Sequence, residues 1–137
     1  TVVVTNSSTM LPSTFASYTG RPEKYLSLHF ANEIWKNNTA EIMGHPGTAQ
    51  KYYDEVVAFA KEIGMIPLQL KKEQPGYILN SLLVPFLNAG QALYANDVAD
   101  PQTISITKYM FKKNLSSSGR FFFVNNLKII PKPVSDP

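Results

Sequence analysis

The sequence predicts an α/β unit that runs into a long helix. Three observations carry this. Short apolar or β-branched runs occur near residues 1–5, 25–30 and 39–43. Apolar residues recur at helical spacing over 48–63. A polar boundary containing Pro75 and Gly76 is followed by an apolar stretch over 77–96. Strand and helix periods alternating in this way mark layered α/β architecture.

Each element has its own justification. Residues 1–5 are β-branched and uninterrupted, and read as a buried strand. Residues 12–18 fit a short helix, stopped by Gly20 and by Arg21 held ahead of Pro22. Strands follow near 25–30 and 39–43. Over 48–63, Tyr52, Val56, Phe59, Ala60 and Ile63 recur at helical spacing, with Gly64 as the stop. A short strand over 66–70 precedes the boundary Lys71-Lys72-Glu73-Gln74-Pro75-Gly76. The last helix, about 77–96, contains Pro85, which predicts a kink. No internal repeat is apparent.

Composition narrows the function classes. The 137 residues allow one domain, or one domain and part of another. An apolar content of 44% is enough to form a core. The absence of cysteine excludes disulfides, thiolate catalysis and Cys-based zinc sites, and two histidines argue against a His-rich metal site. The stretch 77–94 holds Asn80, Ser81, Pro85, Asn88 and Gln91, too polar for an unassisted membrane span. No secretory pattern is visible, so a cytoplasmic location is expected. The chain opens in a strand-like segment without Met and reads as a fragment.

The chemistry centres on His29, near the end of Tyr25-Leu26-Ser27-Leu28-His29-Phe30, and on Glu41 in Thr39-Ala40-Glu41-Ile42-Met43. If the two strands are neighbours, the carboxylate accepts a hydrogen bond from one imidazole nitrogen. The other nitrogen is then left to take a proton from a substrate hydroxyl. The residues expected within hydrogen-bond reach are therefore His29 and Glu41.

The context of this pair is more specific. Thr5-Asn6-Ser7-Ser8-Thr9 follows the Val2-Val3-Val4 run upstream, and the PGYILN…LLVPFLN stretch over 75–88 lies downstream. In this order and at these spacings, residues 1–104 resemble the 3-hydroxyacyl-CoA dehydrogenases, the 3-hydroxybutyryl-CoA dehydrogenases among them. The resemblance implies the C-terminal part of a Rossmann-type nucleotide-binding domain over 1–72. The start of an all-helical domain would then occupy 73–104, with a divergent basic tail over 105–137. It also implies NAD as cofactor, an acyl-CoA substrate, no nucleic-acid or membrane partner, and homodimers formed through the helical domain.

Carried over by resemblance, His29 matches the base that accepts the 3-hydroxyl proton, and Glu41 the carboxylate paired with it. Ser8 matches the serine whose hydroxyl lies near the nicotinamide and the substrate oxygen. Asn80 matches the asparagine that opens the helical domain and helps polarise the substrate carbonyl. Asn6, Ser8 and Asn32 fall on the cofactor side. The family's HFFNP-type motif reads His29-Phe30-Ala31-Asn32-Glu33 here, without the second aromatic and the proline, which leaves the loop after Asn32 open. Read singly, Ser8 also fits a helix cap and Asn80 a structural polar group.

Two departures stand out. The sequence holds no G-x-G-x-x-G turn to seat a pyrophosphate on a helix N-terminus, so the chain by itself is expected to bind NAD poorly. Residues 1–104 carry seven Lys+Arg against nine acids, and residues 105–137 six against one, so the whole basic excess lies in the tail. That tail reads as a nucleic-acid or lipid contact, as a contact to coenzyme A phosphates, or as an altered terminus, and its unpatterned chemistry favours the last. Phe121-Phe122-Phe123-Val124 is apolar enough to aggregate if exposed. The Asn-x-Ser/Thr triplets at Asn6, Asn37 and Asn114 are read as chance, His45 as a loop histidine, and Trp35 and Tyr52-Tyr53 as packing groups. The alternative to an enzyme is a catalytically inactive scaffold acting as a binding or interaction module.

Overall fold

The computed structural model describes residues 1–106; the features of the tail beyond Ile106, Asn114 and Phe121 included, lie outside the described residues. The described elements are strands β1 (Val3–Thr5), β2 (Tyr25–Phe30), β3 (Thr39–Met43) and β4 (Ile66–Gln69), with helices α1 (Ser13–Ala16), α2 (Gln50–Glu62) and α3 (Leu79–Ala95). Residues 101–106 are also helical. The chain forms two compact units, dividing after Ser81. Among the described residues, no helix is long and apolar enough to cross a membrane.

The four strands form one sheet in the order β1-β2-β3-β4. β1 runs parallel to β2, β2 antiparallel to β3, and β3 parallel to β4. Strand alternation sorts β2 and β3 into two faces. Leu26, Leu28, Ala40 and Ile42 point to one face and pack with Val56, Val57 and Ala60 of α2, the crossover between β3 and β4, to form the core. Ser27, His29, Glu41 and Met43 occupy the other face, buried along with Tyr77. The polar residues are thus gathered on the face that α2 does not cover.

The ends of α2 follow from local chemistry. Gly64 adopts φ +81°, its N–H bonds Lys61 O at 3.0 Å, and the Met65 N–H bonds Ala60 O at 2.8 Å. This double return closes the helix on the glycine that marked the stop in the sequence. The other end starts at Gln50 rather than 48. Thr48 Oγ1 accepts the His45 N–H and donates to Tyr25 O, so its hydroxyl braces the preceding loop instead of capping the helix.

Three expectations are corrected. Residues 1–5 are not a buried strand: Val3 is 49% and Val4 42% exposed, because β1 is an edge strand with only β2 beside it. Trp35 is not a packing group; it lies 77% exposed in the loop between β2 and β3. α3 begins at Leu79 rather than 77, because Gly76 (φ +78°) and Tyr77 (φ +54°) are both left-handed. Pro85 sits inside α3 without ending it. His45 is a loop histidine as read, donating from Nε2 to Pro22 O at 2.8 Å while Nδ1 accepts the Gly47 N–H at 3.1 Å.

Candidate active site

The β2–β3 register places His29 directly opposite Glu41. Cross-strand partners of an antiparallel pair project side by side from the same face. His29 Nδ1 and Glu41 Oε2 are 2.9 Å apart, with the residues only 5% and 2% exposed. Nδ1–H donates to the carboxylate, which fixes the tautomer and leaves the Nε2 lone pair available. Ser8 Oγ lies 3.2 Å from Nε2, at the opposite edge of the ring. A buried carboxylate, an imidazole and a hydroxyl therefore stand in line.

Ser8 is held by its own loop and by a more distant residue. The Ser7 N–H bonds Thr5 Oγ1, and the Met10 N–H bonds Ser7 Oγ, both at 3.2 Å. Asn80 Nδ2 donates to Ser8 O at 3.1 Å, so Asn80 joins the group through the backbone of Ser8. Asn6 Oδ1 accepts the Phe30 N–H at 3.0 Å and ties the loop to the end of β2. Asn32 stands apart: it is exposed in the loop after β2, its carbonyl accepts Asn37 Nδ2 at 2.8 Å, and it makes no hydrogen bond to His29, Ser8 or Glu41. That loop turns sharply at Glu33, which has φ +55°. The structure thus brings together His29, Glu41, Ser8 and Asn80, places Asn6 beside them as a strand tie, and leaves Asn32 outside the network.

Sequence reasoning missed three participants. The first is the peptide before α3. The N–H groups of Ile78 and Leu79 both donate to Glu41 Oε1 at 2.9 Å, so each carboxylate oxygen has a separate task. The second is Tyr77, fully buried, whose ring stacks on His29 with centroids 4.6 Å apart and planes 28° from parallel. The third is Ser27, two residues before His29 on the same face and 0% exposed. Burial pushes the Tyr77 hydroxyl above the usual tyrosine range, and the neighbouring Ser27 hydroxyl offsets part of that rise. Neither hydroxyl makes a hydrogen bond of good geometry. The period-2 relation between Ser27 and His29 was a usable signal, and Pro75-Gly76 marked the turn. Nothing local announced that Tyr77 would stack on a residue 48 positions earlier.

This arrangement can accept and return a proton at Nε2 while Glu41 stays hydrogen-bonded at both oxygens. Comparison with known proteins places it in a family. Residues 1–74 match the family model described as 3-hydroxyacyl-CoA dehydrogenase, NAD binding domain. A 3-hydroxybutyryl-CoA dehydrogenase of Clostridioides difficile is 31% identical over 104 residues, 76% of this chain and 37% of that protein. The mitochondrial hydroxyacyl-coenzyme A dehydrogenase of Homo sapiens is 33% identical over 104 residues, 76% of this chain and 33% of that protein. Among solved structures, a diketoreductase studied for substrate-directed dual catalysis of dicarbonyl compounds superimposes with a TM-score of 0.72 and 56% identity. That match covers 74% of this chain and 36% of the other. The chain spans about a third of the length of the curated relatives it matches. With more than half of its residues matching the nucleotide-binding domain of these NAD-dependent oxidoreductases, the chain belongs to the 3-hydroxyacyl-CoA dehydrogenase family.

Proposed function

We propose that these residues serve the NAD-dependent oxidation of the 3-hydroxyl of a short-chain 3-hydroxyacyl-CoA to the 3-oxoacyl-CoA, with His29 as proton acceptor. The observation that carries this is the division of labour at the imidazole: Nδ1 is engaged by buried Glu41, and Nε2 is turned to Ser8. In this reading the substrate oxygen approaches Nε2 and Ser8 Oγ together. The hydroxyl proton passes to Nε2, the C3–H bond breaks with its electron pair leaving as hydride, and the C3–O bond becomes a carbonyl. Glu41 offsets the charge on the imidazolium. Ser8 donates to the substrate oxygen without competing as a base, and Asn80 holds the Ser8 backbone in place.

The residues present fit one end of the cofactor. Asn6 and Ser8 leave β1 at its carboxyl end, beside the carboxyl end of parallel β2, the edge at which open α/β sheets bind nucleotides. Asn6, Ser8 and Asn32 would flank the nicotinamide side. No G-x-G-x-x-G turn for the pyrophosphate exists in these 137 residues. NAD, when bound, supplies the hydride acceptor. We assign residues 1–72 to the later part of the nucleotide-binding domain, 73–104 to the start of the helical domain and 105–137 to a divergent tail. Homodimers through the helical domain belong to the same reading, supported by the exposure of Leu82, Val84 and Leu93 on α3.

A second reading has its own support. The 56% identity with a diketoreductase favours reduction of one carbonyl of a dicarbonyl compound. The same site serves it in reverse, with His29 returning the proton. The two readings separate in one assay of the protein completed by a Gly-rich nucleotide-binding half. NADH formation from 3-hydroxybutyryl-CoA supports the first, NADH consumption with a CoA-free dicarbonyl compound the second, and neither activity contradicts both.

A further inference from the structure

We infer that Tyr77 is a positioning residue for His29, and that the short segment 77–80 ahead of and opening α3 is built to hold the whole acid–base group. The inference rests on the proton-acceptor role proposed above for His29. The four consecutive residues of this segment between them engage all three members. The Tyr77 ring stacks on the His29 imidazole, the N–H groups of Ile78 and Leu79 hold Glu41 Oε1, and Asn80 Nδ2 holds Ser8 O.

The stacking supplies what the hydrogen bond to Glu41 does not. One bond at Nδ1 fixes a distance and a tautomer but leaves the imidazole plane able to turn about the Nδ1–carboxylate direction. A ring parallel to within 28° at 4.6 Å opposes that turn, so Nε2 keeps facing Ser8. Tyr77 is 0% exposed, so its ring has little room to move away.

The backbone is strained to achieve this. Tyr77 has φ +54°, a left-handed conformation that is unfavourable for a bulky residue. Such conformations persist where the surroundings over-determine them, commonly at functional sites. Here the Tyr77 N–H bonds Gln74 O at 3.0 Å across Pro75-Gly76, and Ser81 Oγ donates to Tyr77 O. Glycine would relieve the strain but would lose the ring that stacks on His29.

The test uses the fact that the chain has only two histidines, so His45, outside this network, is an internal reference. In the unmodified chain labelled at histidine, the carbon-bound ring protons of His29 should show nuclear Overhauser contacts to the Tyr77 ring and an upfield ring-current shift. Tyr77→Leu should relieve the shift at His29 and leave His45 unchanged, while Tyr77→Phe should preserve both signals. In the dehydrogenase assembled with a Gly-rich half ahead of Thr1, Tyr77→Leu should lower kcat by about tenfold to a hundredfold with KM little changed. Tyr77→Phe should recover most of that loss. Absence of the His29–Tyr77 contacts in the unmodified chain overturns the inference without any substitution, and so holds even if Tyr77→Leu fails to fold. Normal kcat in Tyr77→Leu beside an inactive His29→Gln overturns the positioning role and leaves the base in place. An active His29→Gln overturns the function proposed above instead.

Discussion

Glu41 reaches from β3 to the first turn of α3, where its Oε1 accepts the Leu79 N–H at 2.9 Å. The same carboxylate holds His29 Nδ1 through its other oxygen. One buried side chain therefore orients the imidazole and satisfies two amides that the helix start would otherwise leave unpaired.

Glu41→Ala should accordingly weaken the fold itself. Removing a buried acceptor and leaving its donors unsatisfied typically costs about 1–3 kcal/mol. Glu41→Gln keeps an acceptor for the Ile78 and Leu79 amides and should cost clearly less. Urea unfolding of the two variants beside the unmodified chain checks this. Equal midpoints for all three would show that the carboxylate contributes little to closing the turn.

Alkaline stability should depend on Tyr53. Its hydroxyl lies 3.0 Å from Ile42 O and 3.2 Å from Leu70 O, linking α2 to β3 and to the end of β4. Burial, with the nearby Asp54 charge adding to it, holds this hydroxyl above the usual tyrosine value. A group raised in this way stabilises the fold fully below the unfolded value, about pH 10 for tyrosine, and loses that contribution as pH rises through the folded value. Tyr53→Phe should cost about 0.5–1.5 kcal/mol at pH 7, the scale of one net hydrogen bond. The gap between the two proteins should narrow above pH 10. A gap that stays constant from neutral to strongly alkaline pH would contradict this role.

The isolated chain should hold NADH weakly. In the proposed reading exposed Asn6 and Ser8 would meet only the nicotinamide end, and the sequence supplies no phosphate-cradling turn. Fluorescence titration of the 137 residues with NADH should give no saturable binding in the low micromolar range. Micromolar affinity would show that a pyrophosphate seat exists elsewhere in the chain.

Much of this was legible in the sequence because strand alternation is a local signal. The bounds of β2 and β3 follow from their apolar patterns, and the antiparallel register then leaves His29 facing Glu41. Gly64 was readable as a stop because its conformation requires no tertiary contact. What stayed hidden depends on distant pairing. The exposure of β1 comes from its edge position rather than from its valines. Tyr77 looked like the first residue of a helix, and the left-handed turn that carries its ring to His29 is fixed by contacts from β2, β3 and the loop after β1. Trp35 read as a packing group by residue type alone, and its exposed place in the β2–β3 loop overrides that reading.

The most direct measurement of the central claim is turnover by His29→Gln in a protein that joins these residues to a Gly-rich nucleotide-binding half. Glutamine keeps a polar side chain but cannot act as the proton acceptor. Turnover of a 3-hydroxyacyl-CoA should fall by about 10²–10⁴-fold, the range for loss of a general base, while NADH affinity barely changes. Near-normal turnover by His29→Gln would place the proton acceptor elsewhere and contradict the account of this site.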